Sequence, residues 1–199
     1  KYVQVVISNP NINLHYVERP NDNGITYLLL DIGGEITEVG IVSKGILKAT
    51  LSFPFGKKTF FKYISTKLGI EIRDAIELFH LYISGDLSKE KMIKVAPLFK
   101  SAESSWSESF RQCITKLPYV LAIPSTIFLT ADLDVSNYFS KIIRNEEFIQ
   151  SMTVEHKCTV IEIKGTEFLK MCKVGENVIC DPFLMIETIS IAKKFKYHG

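Results

Sequence analysis

The chain has 199 residues, of which 46% are hydrophobic and 23% charged, a composition typical of a globular domain with enough apolar side chains for a core. Its formal net charge is +2, from 24 basic and 22 acidic residues, and this balance argues against a nucleic-acid-binding protein that depends on a basic surface. No apolar run reaches the roughly 18–20 residues that span a bilayer, and the start lacks a signal-peptide pattern. We therefore expect a cytoplasmic protein, and the absence of an initiator Met suggests an excised fragment.

The four cysteines, at positions 113, 158, 172 and 180, form no Cys-x-x-Cys pair. This spacing does not favour a zinc site. We expect buried, reduced thiols in a cytosolic protein.

The first part of the chain is rich in apolar and β-branched residues. These predict strands at residues 2–7, 26–31, 36–42 and 46–53. The last three are separated by short turns, so we expect them to form an antiparallel meander.

Helical spacing of apolar residues follows the meander, at residues 57–68 and 71–83. Gly69 and Gly85 are expected to end these helices, and the second is expected to bury a face that runs from Ile72 to Ile83.

A further helical region is predicted between residues 88 and 117. Ser88 is a candidate N-cap, and Pro97 is expected to break or kink the helix that follows it. A separate helix is expected at 103–117, where Trp106 begins a stripe of large side chains at three- and four-residue steps. That spacing favours a core stripe over a partner groove.

The remainder predicts strands around Pro124 and at residues 159–163, a helix at 134–144, and a short helix or turn at 165–172. A last helix is expected after Asp181-Pro182, with a basic end at residues 193–196. The order of elements indicates an α/β layer with a helical insertion.

The stretch 27–42 is the most informative for function. Asp31 stands at the end of a buried strand, and Gly33 and Gly34 fill the turn to the next strand. Glycine amides in a turn can approach a phosphate, and a carboxylate can serve a hard cation. The alternatives are a hairpin turn that needs glycine for positive φ and a strand-end acid that accepts from local amides.

These features together resemble the actin-like ATPase superfamily, which includes actin, sugar kinases, heat-shock chaperone ATPases, and the assembly proteins FtsA and PilM. The sequence D-I-G-G-E-I-T-E at residues 31–38 is similar to its second phosphate motif, D-[IL]-G-G-G-T-T-[DE]. The F-P-F-G turn at 53–56 and the passage K-L-G-I…D-A-I-E at 67–77 are similar to the FtsA and PilM branch. The strand at 127–130 and the helix start at 181–183 are similar to the adenosine strand and the C-terminal helix of the same half.

The resemblance implies a ribonuclease-H-like core at residues 25–68 and 118–199, an N-terminal strand and loop at 1–24, and a mostly helical insertion at 69–117. Complete members have two such halves around a nucleotide cleft. This chain carries one phosphate motif, so it resembles the second half, subdomains IIA and IIB.

The same resemblance assigns site residues. Asp31 would serve the hydrated magnesium ion, Gly33 and Gly34 the phosphates, and Thr37 a hydroxyl contact, so ATP and Mg²⁺ are the implied cofactors. No catalytic residue is implied in this chain.

Two departures argue against that chemistry. Glu35 and Ile36 replace the usual Gly and Thr, and a carboxylate beside a phosphate repels it unless a cation lies between them. The adenosine motif's glycines are replaced by Ala131, Asp132 and Leu133.

The acids after the 127–130 strand allow two interpretations. Asp132 and Asp134 could form part of a metal site, but no third ligand follows at a useful spacing. We therefore expect Asp134 to be the N-cap of the next helix.

Three hypotheses follow. The first is an actin-like, nucleotide-degenerate scaffold for cell-division or pilus-type assembly, which binds protein partners or itself through residues 69–117 and reaches a membrane only through a larger complex. The second is a working Mg-ATP-dependent ATPase or kinase half, active only in a complete two-half protein. The third is an unrelated α/β interaction domain.

Overall fold

The computed structural model describes residues 26–43, 46–117, 123–152 and 158–164. The predictions for residues 1–24, for 165–172 and for the C-terminal helix with its basic end lie outside these ranges. The same holds for Cys172, Cys180 and every histidine except His80.

The described strands form one mixed sheet. They are β1 (Thr26–Ile32), β2 (Thr37–Ser43), β3 (Ile46–Phe53), β4 (Thr126–Ala131) and β5 (Thr159–Glu162). Their spatial order is β3-β2-β1-β4-β5. β1, β2 and β3 pair antiparallel, whereas β4 runs parallel to β1 and β5 parallel to β4. The predicted meander is confirmed.

The described helices follow the predicted order with two differences: α3 is a single helix where two were expected, and α5 was not predicted. They are α1 (Lys57–Leu68), α2 (Ile72–Ser84), α3 (Lys89–Ile114), α4 (Leu133–Asn145) and α5 (Glu147–Met152). Gly69 and Gly85 end α1 and α2 with φ of 65° and 81°, a left-handed conformation that suits glycine. Ser88 caps α3, as predicted, by accepting a hydrogen bond from the Lys91 N–H at 3.4 Å.

The predicted break at Pro97 is wrong, because α3 continues through it as one helix. A proline removes a single helical N–H. Phe99, Ala102 and Trp106 are fully buried after it, so burial of apolar surface on both sides holds the helix together.

The helices cover one face of the sheet. Leu28, Leu30 and Ile32 of β1 share a hydrophobic cluster with buried residues of α1 to α5. Phe60 lies at its centre, with ring centroids 5.7–6.3 Å from those of five other aromatic residues. These are Phe61, Phe79, Phe99, Tyr138 and Phe139. The helices of the predicted insertion thus contribute side chains to the same cluster as the sheet.

The predicted stripe on α3 is confirmed as core, since Trp106, Phe110 and Ile114 are buried. The predicted buried face of α2 is wrong at its two ends, where Ile72 and Ile83 are each 46% exposed. Apolar spacing alone therefore overestimates burial on this helix. No described helix combines the length and apolar character that a bilayer crossing requires.

Candidate functional site

The parallel strands β1 and β4 end side by side, with Ile32 opposite Ala131. The elements that follow them, residues 33–36 and 132–134, meet the N-terminus of α1 at this place. We call this region the carboxyl edge. Ligands of open α/β sheets bind outside the carboxyl ends of the strands, so this edge is the candidate site.

The turn between β1 and β2 is fixed to α1 through its backbone. The Lys57 N–H donates to the Gly33 carbonyl at 2.9 Å, and the Lys58 N–H donates to the Gly34 carbonyl at 2.7 Å. Free N–H groups at a helix N-terminus are a ready site for a phosphate. Here two of them are already satisfied by carbonyls of the turn.

The backbone of the turn does not have the conformation expected for a glycine hairpin, and close packing favours glycine at position 33. Neither Gly33 nor Gly34 has positive φ, which among described glycines occurs at Gly69 and Gly85. The positive-φ hairpin interpretation is therefore wrong. The Gly33 N–H donates across the turn to the Ile36 carbonyl at 3.0 Å, and a Cβ on Gly33 would lie 3.1 Å from that oxygen.

Gly56 makes the closest approach at the edge. A Cβ there would lie 2.4 Å from the Gly33 carbonyl oxygen and 2.7 Å from that of Gly34. Both atoms are backbone, so no side-chain rotation relieves the overlap. The glycine that ends the F-P-F-G turn therefore lets α1 dock on the β1–β2 turn.

Thr37 lies inside the fold and is completely buried. Its hydroxyl donates to the Phe55 carbonyl at 2.6 Å and accepts from the Trp106 indole N–H at 3.3 Å. These bonds join β2 to the loop before α1 and to α3. The hydroxyl proton is thus already engaged, and the phosphate contact assigned to Thr37 stays a prediction.

Asp31 lies on the sheet face opposite the helices, because it alternates with Leu30 and Ile32 of the cluster. Its side chain is buried, and the Thr130 hydroxyl donates to its Oδ1 at 3.3 Å. In the antiparallel pairing of β1 with β2, Asp31 lies opposite Glu38.

The charged centre of the edge is Lys57, the first residue of α1. Its Nζ lies 2.9 Å from Asp132 Oδ2 and 2.8 Å from the Asp134 carboxylate. His80 of α2 adds a ring nitrogen 3.7 Å from the same Asp134 carboxylate. One ammonium therefore joins α1 to the start of α4.

The expected capping role of Asp134 is wrong. α4 begins at Leu133, with Asp132 in the cap position. The Asp132 carbonyl accepts from the N–H groups of Val135 and Ser136 at 3.0 and 2.9 Å. Asp134 lies in the first helical turn, and the cation between the two carboxylates is the Lys57 ammonium. Among the described residues, no group of three or more His, Cys, Asp or Glu side chains is arranged to hold a metal ion.

Lys57 was not predicted as a site residue, although its position carries a signal. A positive charge in the first turn of a helix opposes the helix dipole, which indicates an acidic partner elsewhere. That partner could not be identified from spacing, because Asp132 and Asp134 lie 75 and 77 residues away. Burial alone would lower the pKa of Lys57, but its hydrogen bonds to both carboxylates raise it above the ordinary value.

The two sides of the edge fit Mg-ATP unequally. Asp31 is a suitable oxygen donor for a hydrated cation, and the Gly34 N–H has no acceptor among the described residues. On the side where the resemblance places the adenosine, Asp132 holds Lys57 and the Leu133 side chain is 61% exposed. Side chains thus stand where the family has glycine, so this side does not fit a purine.

No protein-family model matches the chain, and no curated protein matches it in sequence. Solved structures match it by fold. PilM of a PilM–PilN type IV pilus biogenesis complex has a TM-score of 0.53 at 13% identity, over 96% of this chain and 50% of that one. The apo psk41 ParM protein has 0.50 at 13%, over 87% and 43%. EutJ, an ethanolamine utilization protein from Carboxydothermus hydrogenoformans, has 0.45 at 14%, over 67% and 43%.

The chain therefore has an actin-like, ribonuclease-H-like α/β fold with a helical insertion, as the resemblance implied. It spans half or less of the length of these structural neighbours. At such low identity the likeness establishes the fold alone.

Proposed function

We propose that this chain is an actin-like domain of an assembly scaffold, acting in cell-division or pilus-type assembly as the second half of a larger protein. The observation that carries the proposal is the docking of the β1–β2 turn on α1. The Gly33 and Gly34 carbonyls bond to the first N–H groups of that helix. A phosphate turn used as a structural joint favours a role that depends on protein contacts.

The helical region is the proposed partner-facing surface. Six large apolar side chains among the described residues are exposed, and four of them lie on α2 and α3. Ile93 is the most exposed, at 74%. Exposed large apolar side chains are candidates for contact with a protein partner. The others on these helices are Ile72, Leu81 and Ile83.

Sedimentation velocity of the full-length protein over a range of concentrations tests this surface. We expect the double substitution Ile83→Ser with Ile93→Ser to weaken self-association, or retention of a co-purifying protein partner, by at least about tenfold. Leu133→Ser is the matched control, because it removes an exposed apolar side chain outside α2 and α3 and should leave association unchanged. Equal assembly by the wild type and the double variant would contradict the proposal.

The neighbour PilM was solved in a complex with PilN. By analogy, we propose a protein partner for this chain, in addition to or in place of self-association. We further propose that any association of this chain with a membrane is peripheral and occurs through such a complex.

A second candidate function is Mg-ATP binding in the complete protein, with Asp31 serving magnesium and Gly33, Gly34 and Thr37 around the phosphates. The position of Asp31 at the carboxyl end of β1, beside the parallel strand β4, favours it. When bound, magnesium would neutralise phosphate charge. The residues of this chain would orient it, through the Asp31 carboxylate and the Gly34 N–H.

Titration calorimetry with Mg-ATP distinguishes the two functions. Under the second, the full-length protein should bind at millimolar nucleotide or below, and Asp31→Ala should abolish the heat. Asp74→Asn is the matched control, because it removes an exposed carboxylate on α2. Heat that persists unchanged in Asp31→Ala, or no heat in the wild type, would exclude this role of Asp31.

A further inference from the structure

We infer that Lys57 is the resident cation of the carboxyl edge: its ammonium joins the start of α1 to the start of α4, while its backbone N–H holds the β1–β2 turn. This positioning role goes beyond the assembly function and is independent of which partner the domain binds.

The contacts of Lys57 reach all three elements of the edge. Its N–H donates to the Gly33 carbonyl of the turn, and its Nζ lies 2.8–2.9 Å from both carboxylates of the β4–α4 junction. The Lys57 side chain is only 20% exposed, and that of Asp134 29%. A partly buried ammonium between two carboxylates is held more firmly than an exposed ion pair.

The charge arrangement explains why a cation is needed here. Asp132 and Asp134 face the same point in space, and without Lys57 their like charges would oppose each other. Two carboxylates that share one cation are an arrangement that also suits a hard divalent ion. Lys57 supplies that cation from within the chain, so the two carboxylates are held together without magnesium or nucleotide.

Replacing Lys57 with Met removes the charge and keeps most of the side-chain length. We expect the melting temperature of the full chain to fall by about 4 °C, after allowance for the partial exposure of the pair. We further expect millimolar Mn²⁺ to restore part of this loss, because the freed carboxylates then bind the ion. The wild type should not respond to Mn²⁺.

Two further variants isolate the cation. Lys57→Arg keeps the charge, and it should keep the melting temperature and stay insensitive to Mn²⁺. Adding Asp134→Asn to Lys57→Met should abolish the Mn²⁺ response, because one of the two carboxylates is lost. A merely packing role for Lys57 would not produce this pattern of metal response.

Several outcomes would overturn the inference. An unchanged melting temperature in Lys57→Met would show that the ion pair does not join α1 to α4. The same follows if Mn²⁺ changes the melting temperature of Lys57→Met no more than that of the wild type. If Lys57→Met does not fold, Lys57→Arg combined with Asp134→Asn provides the same test, and a melting temperature equal to the wild type would refute the role. A rise in wild-type melting temperature with Mg-ATP that is lost in Lys57→Arg would show instead that Lys57 serves a nucleotide.

Discussion

The substitution Gly56→Ala tests whether the β1–β2 turn is a structural joint. Gly56 has φ of −114° and ψ of −167°, an extended conformation that alanine adopts without strain. Any loss of stability must therefore come from the new methyl group. That group would lie 2.4 Å from the Gly33 carbonyl oxygen and 2.8 Å from the Gly34 carbonyl carbon.

The magnitude follows from how the overlap can be relieved. Overpacking by a methyl group costs about 1–3 kcal/mol. If the turn retreats, the hydrogen bonds from the Lys57 and Lys58 N–H groups to Gly33 and Gly34 are weakened, at about 1 kcal/mol each. Alanine also lowers the conformational entropy of the unfolded chain, which stabilises the folded protein by about 0.5–1 kcal/mol. We expect a net loss of about 3 kcal/mol, which lowers the melting temperature by about 10 °C in a chain of this size.

Calorimetric melting and urea unfolding of the wild type, Gly56→Ala and Gly34→Ala measure this loss. Gly34→Ala is the matched control, because a Cβ there would meet only the flexible Lys58 side chain, at 3.4–3.8 Å. It should change the free energy of unfolding by less than about 0.5 kcal/mol. If Gly56→Ala loses no more than the control, the close approach of α1 to the turn does not matter for stability, and the joint is refuted.

Three further predictions concern single groups. Burial alone would lower the pKa of Lys57, but its hydrogen bonds to Asp132 and Asp134 raise it above the ordinary value of 10.5. While both carboxylates are ionised, the contribution of Lys57 to stability is therefore complete up to about pH 10.5 and is lost as the pH rises through the folded value. The difference in melting temperature between the wild type and Lys57→Met should narrow as the pH rises through that alkaline range, and narrowing near neutral pH would contradict this. Burial raises the pKa of Cys158 to about 11, so about one thiol in a thousand is ionised at pH 8. Mass spectrometry should therefore show that Cys158 is alkylated about a hundredfold more slowly in the folded protein than in the urea-unfolded chain. Equal alkylation rates would contradict the burial of this thiol. The Ser140 hydroxyl is buried with no hydrogen-bond partner among the described residues. Ser140→Ala should therefore raise the free energy of unfolding, measured in urea, by about 1 kcal/mol. A lower free energy of unfolding would show that the hydroxyl has a partner.

Much of the fold could be predicted because local pattern and tertiary packing agree. The bounds of β3 and α1 follow from alternation in 46–53 and from apolar spacing after Gly56, and they match the structure. The failure at Pro97 has the opposite cause. A local helix-breaking signal was outweighed by the buried side chains of α3 on both sides of it.

The candidate site was harder to predict because its chemistry is set by contacts between distant residues. Asp31 and the two glycines were assigned from their order along the chain, and that assignment stays a prediction. Lys57 was missed, and Asp134 was assigned the wrong role, because the pair is 77 residues apart in sequence. No periodicity relates such residues, and only the parallel pairing of β1 with β4 brings them to the same edge.

Two different physical requirements can select the same glycine-rich turn after a buried strand. In one, glycine exposes backbone N–H groups to a phosphate. In the other, glycine lets two backbone segments approach closely, as Gly56 does against Gly33. The Gly33 and Gly34 carbonyls bond to α1, which is the arrangement that the second requirement predicts. Since a helix N-terminus satisfied from within the chain has less to offer an anion, the actin-like fold can persist with its phosphate turn serving as structure.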